Sequence, residues 1–208
     1  MGEIGVPPAL SDAVQSLKDA VSAGRTDIFR KLLEACETCD GGGIEERKQL
    51  VNSLATNDGT FLHMATKLGH NDIVRALLAA GADPGVIDRN GNTPIQVSPS
   101  SSILSIFMED LLRATAKSEI GRVCQLIASG MSVNAHDNQL SRNTPLHWAA
   151  SFADLDTLNC LIARGADVNS CNSHGATPLH DAVARNEPAL VEALLEQGAN
   201  PHIQCHKG

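Results

Sequence analysis

The chain has 208 residues, 42% of them hydrophobic and 19% charged, which suits one ordinary domain or two small ones and excludes a disordered or fibrous protein. One Trp, four Phe and no Tyr predict an aliphatic core. Sixteen Lys and Arg against 24 Asp and Glu leave a net charge of −8 without a basic cluster to displace phosphate counterions, so nucleic acid is not an expected partner.

No apolar run reaches the 18 or so residues that a membrane-spanning helix needs, so no membrane insertion is expected. The N-terminus, MGEIGVPPAL, lacks both the basic and the apolar region of a secretion signal, and Val6 stands where a myristoylation signal wants Ser or Thr. Six cysteines are too sparse for a disulfide scaffold, and reduced thiols in a cytoplasmic or nuclear protein are the expectation.

The chain repeats itself with a period of 33. Thr144-Pro145-Leu146-His147-Trp148-Ala149-Ala150 returns as Thr177-Pro178-Leu179-His180-Asp181-Ala182-Val183, and Gly165-Ala166-Asp167 returns as Gly198-Ala199-Asn200. Upstream, Thr60-Phe61-Leu62-His63-Met64-Ala65 leads to Gly69-His70 and Gly81-Ala82-Asp83, and Thr93-Pro94 falls one period after Thr60. Thr before Pro predicts a helix start, since the hydroxyl caps free N–H groups and Pro loses nothing at the first helical position. A second helix follows in each unit, with apolar positions Ile73/Val74/Leu77/Leu78, Leu158/Leu161/Ile162 and Leu190/Val191/Leu194/Leu195 forming a stripe wide enough to touch both neighbours of a stack. Gly81, Gly165 and Gly198 sit where such helices end in a left-handed residue.

These residues resemble the ankyrin repeat family over roughly 10–35 and 57–208. The resemblance implies an all-α solenoid of paired antiparallel helices with projecting β-hairpin fingers, and protein binding as scaffold or adaptor. In chain order, residues near 10–36 match 55–81 at an offset of 45 and form an N-terminal unit, and an insertion at 37–56 holds a loop and a short helix near 44–54. A unit at 58–90 follows. Thr93-Pro94 opens an eroded unit over 91–108, with an insertion at 98–108 where Ser98-Pro99 breaks the first helix. Residues 103–117 then read either as an eroded second helix joined to the next unit or as one long helix. Units at 109–136, 142–171 and 172–203 complete the array, the first opening at Glu109-Asp110 and separated from the second by two extra residues near 137–143. Gly208 lies one period after Gly175, so the chain is expected to stop inside a finger and to be a fragment of a longer protein.

No enzymatic activity is expected: Asp40-Gly41-Gly42-Gly43 lacks the Gly-Lys-Ser/Thr of a phosphate loop, and no nucleophile elbow or zinc-protease motif occurs. No metal or other cofactor is expected either. His63, His147 and His180 recur at one repeat position, which metal ligands do not do, and the resemblance implies that they hydrogen-bond between units. Cys36-Glu37-Thr38-Cys39 has the spacing of half a zinc site without a second half, which leaves a redox or metal role as the minor reading. Three modification candidates remain: Ser98 in its Ser-Pro context, and Asn134 and Asn169, which each follow a leucine by eight residues as in ankyrin substrates of asparaginyl hydroxylase.

The binding surface follows from helix geometry. With Leu146, Ala149 and Ala150 facing the core, Trp148 and Phe152 fall on the opposite face, four residues apart and in contact. Equivalent pairs are Met64/Leu68, Arg113/Lys117 and Asp181/Arg185, edged by finger residues Arg89, Asn92, Leu140, Arg142 and His174. Aromatic and Arg anchors are what interface hot spots favour. The competing reading packs Trp148 and Phe152 beneath the inserted loop at 137–143, or has Met64 and Leu68 complete the core. The expected partner is a protein or peptide on the concave face, bound by a monomer, or the chain serves as a regulatory or substrate-recruiting part of a larger enzyme or channel.

Overall fold

A threonine and a histidine three residues later start three helices in the same way. In the computed structural model, which describes residues 8–38, 43–56, 59–98, 100–137 and 140–206, Thr60, Thr144 and Thr177 all have extended backbone, and their N–H groups donate to Nδ1 of His63, His147 and His180 at 3.1–3.2 Å. The histidine thus satisfies a backbone donor that the helix cannot, which is the capping-box role usually filled by Glu or Gln. Thr93 makes the same box with Gln96, whose Oε1 accepts from the Thr93 N–H at 2.9 Å.

The described helices are α1 (Pro8–Ser22), α2 (Thr26–Thr38), α3 (Gly43–Asn52), α4 (Phe61–Leu68), α5 (Asn71–Ala79), α6 (Ser101–Ala116), α7 (Ile120–Ala128), α8 (Pro145–Phe152), α9 (Leu155–Ala163), α10 (Pro178–Arg185) and α11 (Pro188–Glu196). The chain divides into two compact units at Ile106/Phe107, inside α6. In the first, α1 pairs with α2 and α4 with α5, while α4 stacks on α1 and α5 on α2. In the second, α8 pairs with α9 and α10 with α11, α8 stacks on α10, and α9 lies between α7 and α11.

The second helix of a pair ends by one recurring device. Gly81, Gly165 and Gly198 adopt φ of 90°, 86° and 86°, and the following Ala82, Ala166 and Ala199 N–H groups reach back to Leu77, Leu161 and Leu194 carbonyls at 2.9–3.1 Å. Only a residue without a Cβ enters that left-handed conformation freely, so glycine fixes where the helix stops. Ile73, Val74 and Leu77, Val123 and Leu126, Leu158 and Leu161, and Leu190 and Leu194 are buried on the stripe, each contributing about 1.5–3 kcal/mol by leaving water.

An asparagine clamp joins successive turns. The Asn134 amide donates to the Gly165 carbonyl (2.9 Å) and accepts from the Asp167 N–H (2.8 Å); Asn169 does the same with Gly198 and Asn200, and Asn52 with Gly81 and Asp83. One flat amide supplies donor and acceptor together, which is why this position takes Asn.

Four expectations need correction. The core is not purely aliphatic: Phe29, Phe61 and Phe107 are among the largest fully buried side chains. The fingers are hydrogen-bonded turns rather than paired strands. Asp88 and Asn172 N–H groups donate to carbonyls four residues on, Asn92 and Ala176, and the Asp137 N–H donates to the Asn143 carbonyl, six residues on. Among the described residues the only paired strands, β1 (Leu54–Thr56) and β2 (Gly59–Thr60), precede α4 instead. Glu109 and Asp110 open no helix, because α6 is one continuous helix over 101–116. Apolar residues recur from Ile103 to Ala114 without a breaker, so the helix extends back to the Ser98–Ser102 cluster, where hydroxyls compete for the backbone. Finally, Pro94–Val97 forms a single turn and no helix.

Candidate functional site

Leu146, Ala149 and Ala150 are fully buried against neighbouring helices, which turns the other face of α8 outward. Phe152 is 59% exposed and Trp148 half-buried, with ring centroids 5.3 Å apart and planes tilted by 39°, a favourable offset for aromatic pairs. The Trp148 Nε1–H donates to Asp137 Oδ2 at 3.1 Å, and Asp137 Oδ1 accepts from the Asn143 N–H at 3.2 Å. Asp137, itself buried, therefore ties the indole to the base of its finger. The indole edge is anchored at the base of the finger, while Phe152 stays open to solvent.

The fingers themselves are linked. Ser173 donates through its hydroxyl to the Leu140 carbonyl (2.7 Å) and through its N–H to that of Ser141 (2.9 Å). Leu140, 97% exposed, and the exposed Arg142 and His174 stand on these tips, Arg142 with a left-handed φ of 51°.

On α10, Asp181 is half-buried and, among the described residues, its carboxylate has neither hydrogen-bond nor ion-pair partner; burial pushes its carboxyl up to about 6. Val183 is exposed. Arg185 donates to the Ala153 carbonyl at the end of α8 and lies 3.9 Å from Glu187, so it holds α10 to α8.

Arg113 is not a free cation. It hydrogen-bonds Asp110, which also takes two bonds from Arg122 at 2.9 and 2.7 Å, and the Asp110 contact raises the Arg113 guanidinium above its ordinary range. Lys117 is exposed.

The other predicted residues lie in the first unit. Leu68 is 49% exposed, and Met64 is half-buried, its Sδ 3.6 Å from the Ser22 hydroxyl. Arg89 is exposed on its finger, whereas Asn92 is half-buried and spends its carbonyl on His63 Nε2 at 3.0 Å. Asp88, at the base of that finger, is held below the usual carboxylate range by the Asn92 and Asn90 N–H groups and by Lys67 at 3.6 Å. Composition and periodicity missed Asp137 and Val183. Asp88, Asp137 and Asn172 share one finger-base position, and that recurrence was the available signal for Asp137.

The histidines serve structure. Nδ1 of His147 faces Thr144, and Nε2 faces the Ala176 carbonyl at 2.9 Å, so the ring is neutral with its proton on Nε2. Burial pushes the His63 and His147 imidazoles below their ordinary value. Among the described residues no group of three or more His, Cys, Asp or Glu could hold a metal ion. The Cys36/Cys39 pair lies outside them, Cys39 wholly and Cys36 in its side chain, and so does Pro99 of the Ser98 motif. Among the described residues no helix is long and apolar enough to cross a membrane.

Helix pairs stacked through a shared apolar stripe, capped by Thr and His and joined by asparagine clamps, define a helical-repeat protein. The family description "Ankyrin repeats (3 copies)" matches residues 17–107 and 111–205, and the chain belongs to the ankyrin repeat family. That family is a non-catalytic module that mediates protein–protein interaction. The chain is 33% identical over 166 residues to the nuclear factor NF-kappa-B p105 subunit of Gallus gallus, matching 70% of this chain and 17% of that protein. It is 30% identical over 200 residues to neurogenic locus notch homolog protein 1 of Cricetulus griseus and of Mus musculus, matching 87% of this chain and 7% of each relative. The chain thus spans less than a fifth of the length of these relatives.

Proposed function

We propose that the chain binds a protein or peptide partner on the concave side, along the exposed face of the first helix of each pair, as a scaffold or adaptor module. The observation that carries this is the Trp148/Phe152 pair: an aromatic residue 59% exposed, stacked on a half-buried indole whose position a buried carboxylate fixes. A pre-ordered aromatic anchor costs little conformational entropy on binding. Leu140, Val183 and the unpartnered Asp181 extend the surface within the second unit, and Met64 and Leu68 offer an apolar face within the first. The small share of the relatives that the chain matches favours a second reading, that this module recruits substrates or regulates a larger enzyme or channel. A monomer acting in the cytoplasm or nucleus, without nucleic-acid contact, completes the proposal.

The test is a selection of displayed peptides on the chain, with each recovered binder measured against Phe152→Ala and against Glu192→Ala on the second-helix side. Binders that lose at least tenfold in affinity with the first variant and nothing with the second support the proposal. Binders indifferent to Phe152→Ala overturn it.

A further inference from the structure

Cys124 on α7 and Cys160 on α9 bring their sulfurs to 3.5 Å, although 36 residues separate them in sequence. Both are half-buried, so the pair is reachable from solvent. Their positions are set by the core: Val123 and Leu126 on one helix and Leu158 and Leu161 on the other are fully buried and hold the two backbones side by side. The Arg164 guanidinium lies 3.1 Å from Cys160 Sγ and 3.2 Å from the Cys160 carbonyl, a cation of the kind that favours a thiolate. Closing the sulfurs to a bond of about 2.05 Å asks for a movement of about 1.5 Å, which small side-chain rotations supply.

We propose that Cys124 and Cys160 form a paired-thiol modification site that hydrogen peroxide oxidises to a disulfide joining α7 to α9. The first thiolate attacks one peroxide oxygen; the O–O bond breaks, a sulfenic acid forms, and the departing hydroxide takes a proton to become water. The second thiolate attacks the sulfenic sulfur; the S–S bond forms, the S–O bond breaks, and a second hydroxide leaves as water. Two thiols lose two electrons and two protons, and the peroxide is reduced to two waters. Burial pushes the Cys160 thiol up despite Arg164, so the reaction is slow at neutral pH and quickens as pH rises. The pair lies on second helices, away from the Trp148/Phe152 face, and does not depend on the binding proposal.

Trypsin separates the two cysteines, since residues 123–142 and 143–164 are consecutive tryptic peptides with one cysteine each. The 208-residue chain is treated with hydrogen peroxide, alkylated without reduction, digested and mapped by mass spectrometry, and the same is done in denaturant. The expected result is a cross-linked 123–142/143–164 species as the main oxidised form of both peptides in the folded chain, falling to a minor share of mixed pairings in denaturant. The proposal is overturned if, at a dose that oxidises the exposed Cys171, the two peptides remain unlinked, carry oxygenated sulfur, or pair with other cysteines. Equal cross-linking in folded and denatured chains overturns it as well.

Discussion

The indole of Trp148 donates to the buried carboxylate of Asp137 across eleven residues of sequence, so the aromatic face of α8 is tied to the base of the finger before it. This relationship separates the two aromatic residues in their expected behaviour. Phe152→Ala removes a 59% exposed ring and should leave the melting temperature nearly unchanged while weakening partner binding by about 2 kcal/mol. Trp148→Ala should weaken binding at least as much and also lower stability by about 1 kcal/mol, because Asp137 loses a hydrogen-bond donor. Thermal melts beside titrations with a selected peptide check both; a Phe152→Ala variant that melts early but binds normally would count against the interaction face.

Leu161 is fully buried between the second helices of the second unit. Leu161→Ala should cost about 2–5 kcal/mol of folding stability through lost burial and the cavity left behind. Urea unfolding measures this, and a midpoint unmoved from that of the parent chain would contradict the assignment of the stripe.

Asp110 accepts from both Arg113 and Arg122 and is itself only 5% exposed in its side chain. Asp110→Ala removes two charged hydrogen bonds from Arg122, 13% exposed, and one from Arg113, and should destabilise the chain by about 2 kcal/mol. Arg113→Ala, removing the partner that is 46% exposed, should cost about 1 kcal/mol or less. Chemical denaturation of the two variants compares them directly, and equal losses would mean that Asp110 is not the centre of the cluster.

The fold was legible where local chemistry repeats. Thr-Pro starts, glycine stops and the apolar stripe all act within one unit, so a period of 33 exposes them. The inserted pair was legible for the same reason, as a shift in register that Asp137 and Asn143 close over six residues. What escaped was either propagated or long-range. Helix α6 runs through Glu109-Asp110 because nothing after Ser102 interrupts it, a matter of cooperativity that no single motif reports. Arg113 and Asp110 stand three residues apart on α6, a local spacing, yet the sharing of Asp110 with Arg122 on the following helix is a tertiary contact that periodicity does not report. Cys124 and Cys160 do not share a repeat position at the offset of 35 that relates their units, so a search for equivalent residues passes over them.

His63 and His147 are neutral donors to carbonyls of the next finger, and burial holds both imidazoles below 6.5. The unfolded chain therefore binds protons more readily than the folded one as pH falls below 6.5. Stability from these residues is full above that pH and is lost progressively toward the lowered folded value. Melting temperature should drop on acidification through this window, and His147→Gln, which cannot gain the charge, should show a shallower drop from a lower starting point. A variant as steep as the parent chain would remove His147 from the cause.

Asp181 works in the opposite sense. Its carboxyl, pushed up to about 6 by burial from an ordinary 3.8, binds its proton more readily in the folded chain, so its contribution is most favourable at low pH and is lost as pH rises through 6. At neutral pH the ionised, unpartnered carboxylate is a cost, which Asp181→Asn relieves by about 1 kcal/mol after allowing for its partial exposure to solvent. The variant should melt above the parent chain at pH 7 and converge with it near pH 4. If the partner supplies a cation to this carboxylate, the same substitution weakens binding, so Asp181 would trade stability for recognition. Melts at both pH values with peptide titrations at pH 7 measure the two effects, and a variant less stable at pH 7 would show that a favourable contact, rather than an unrelieved charge, holds Asp181 in place.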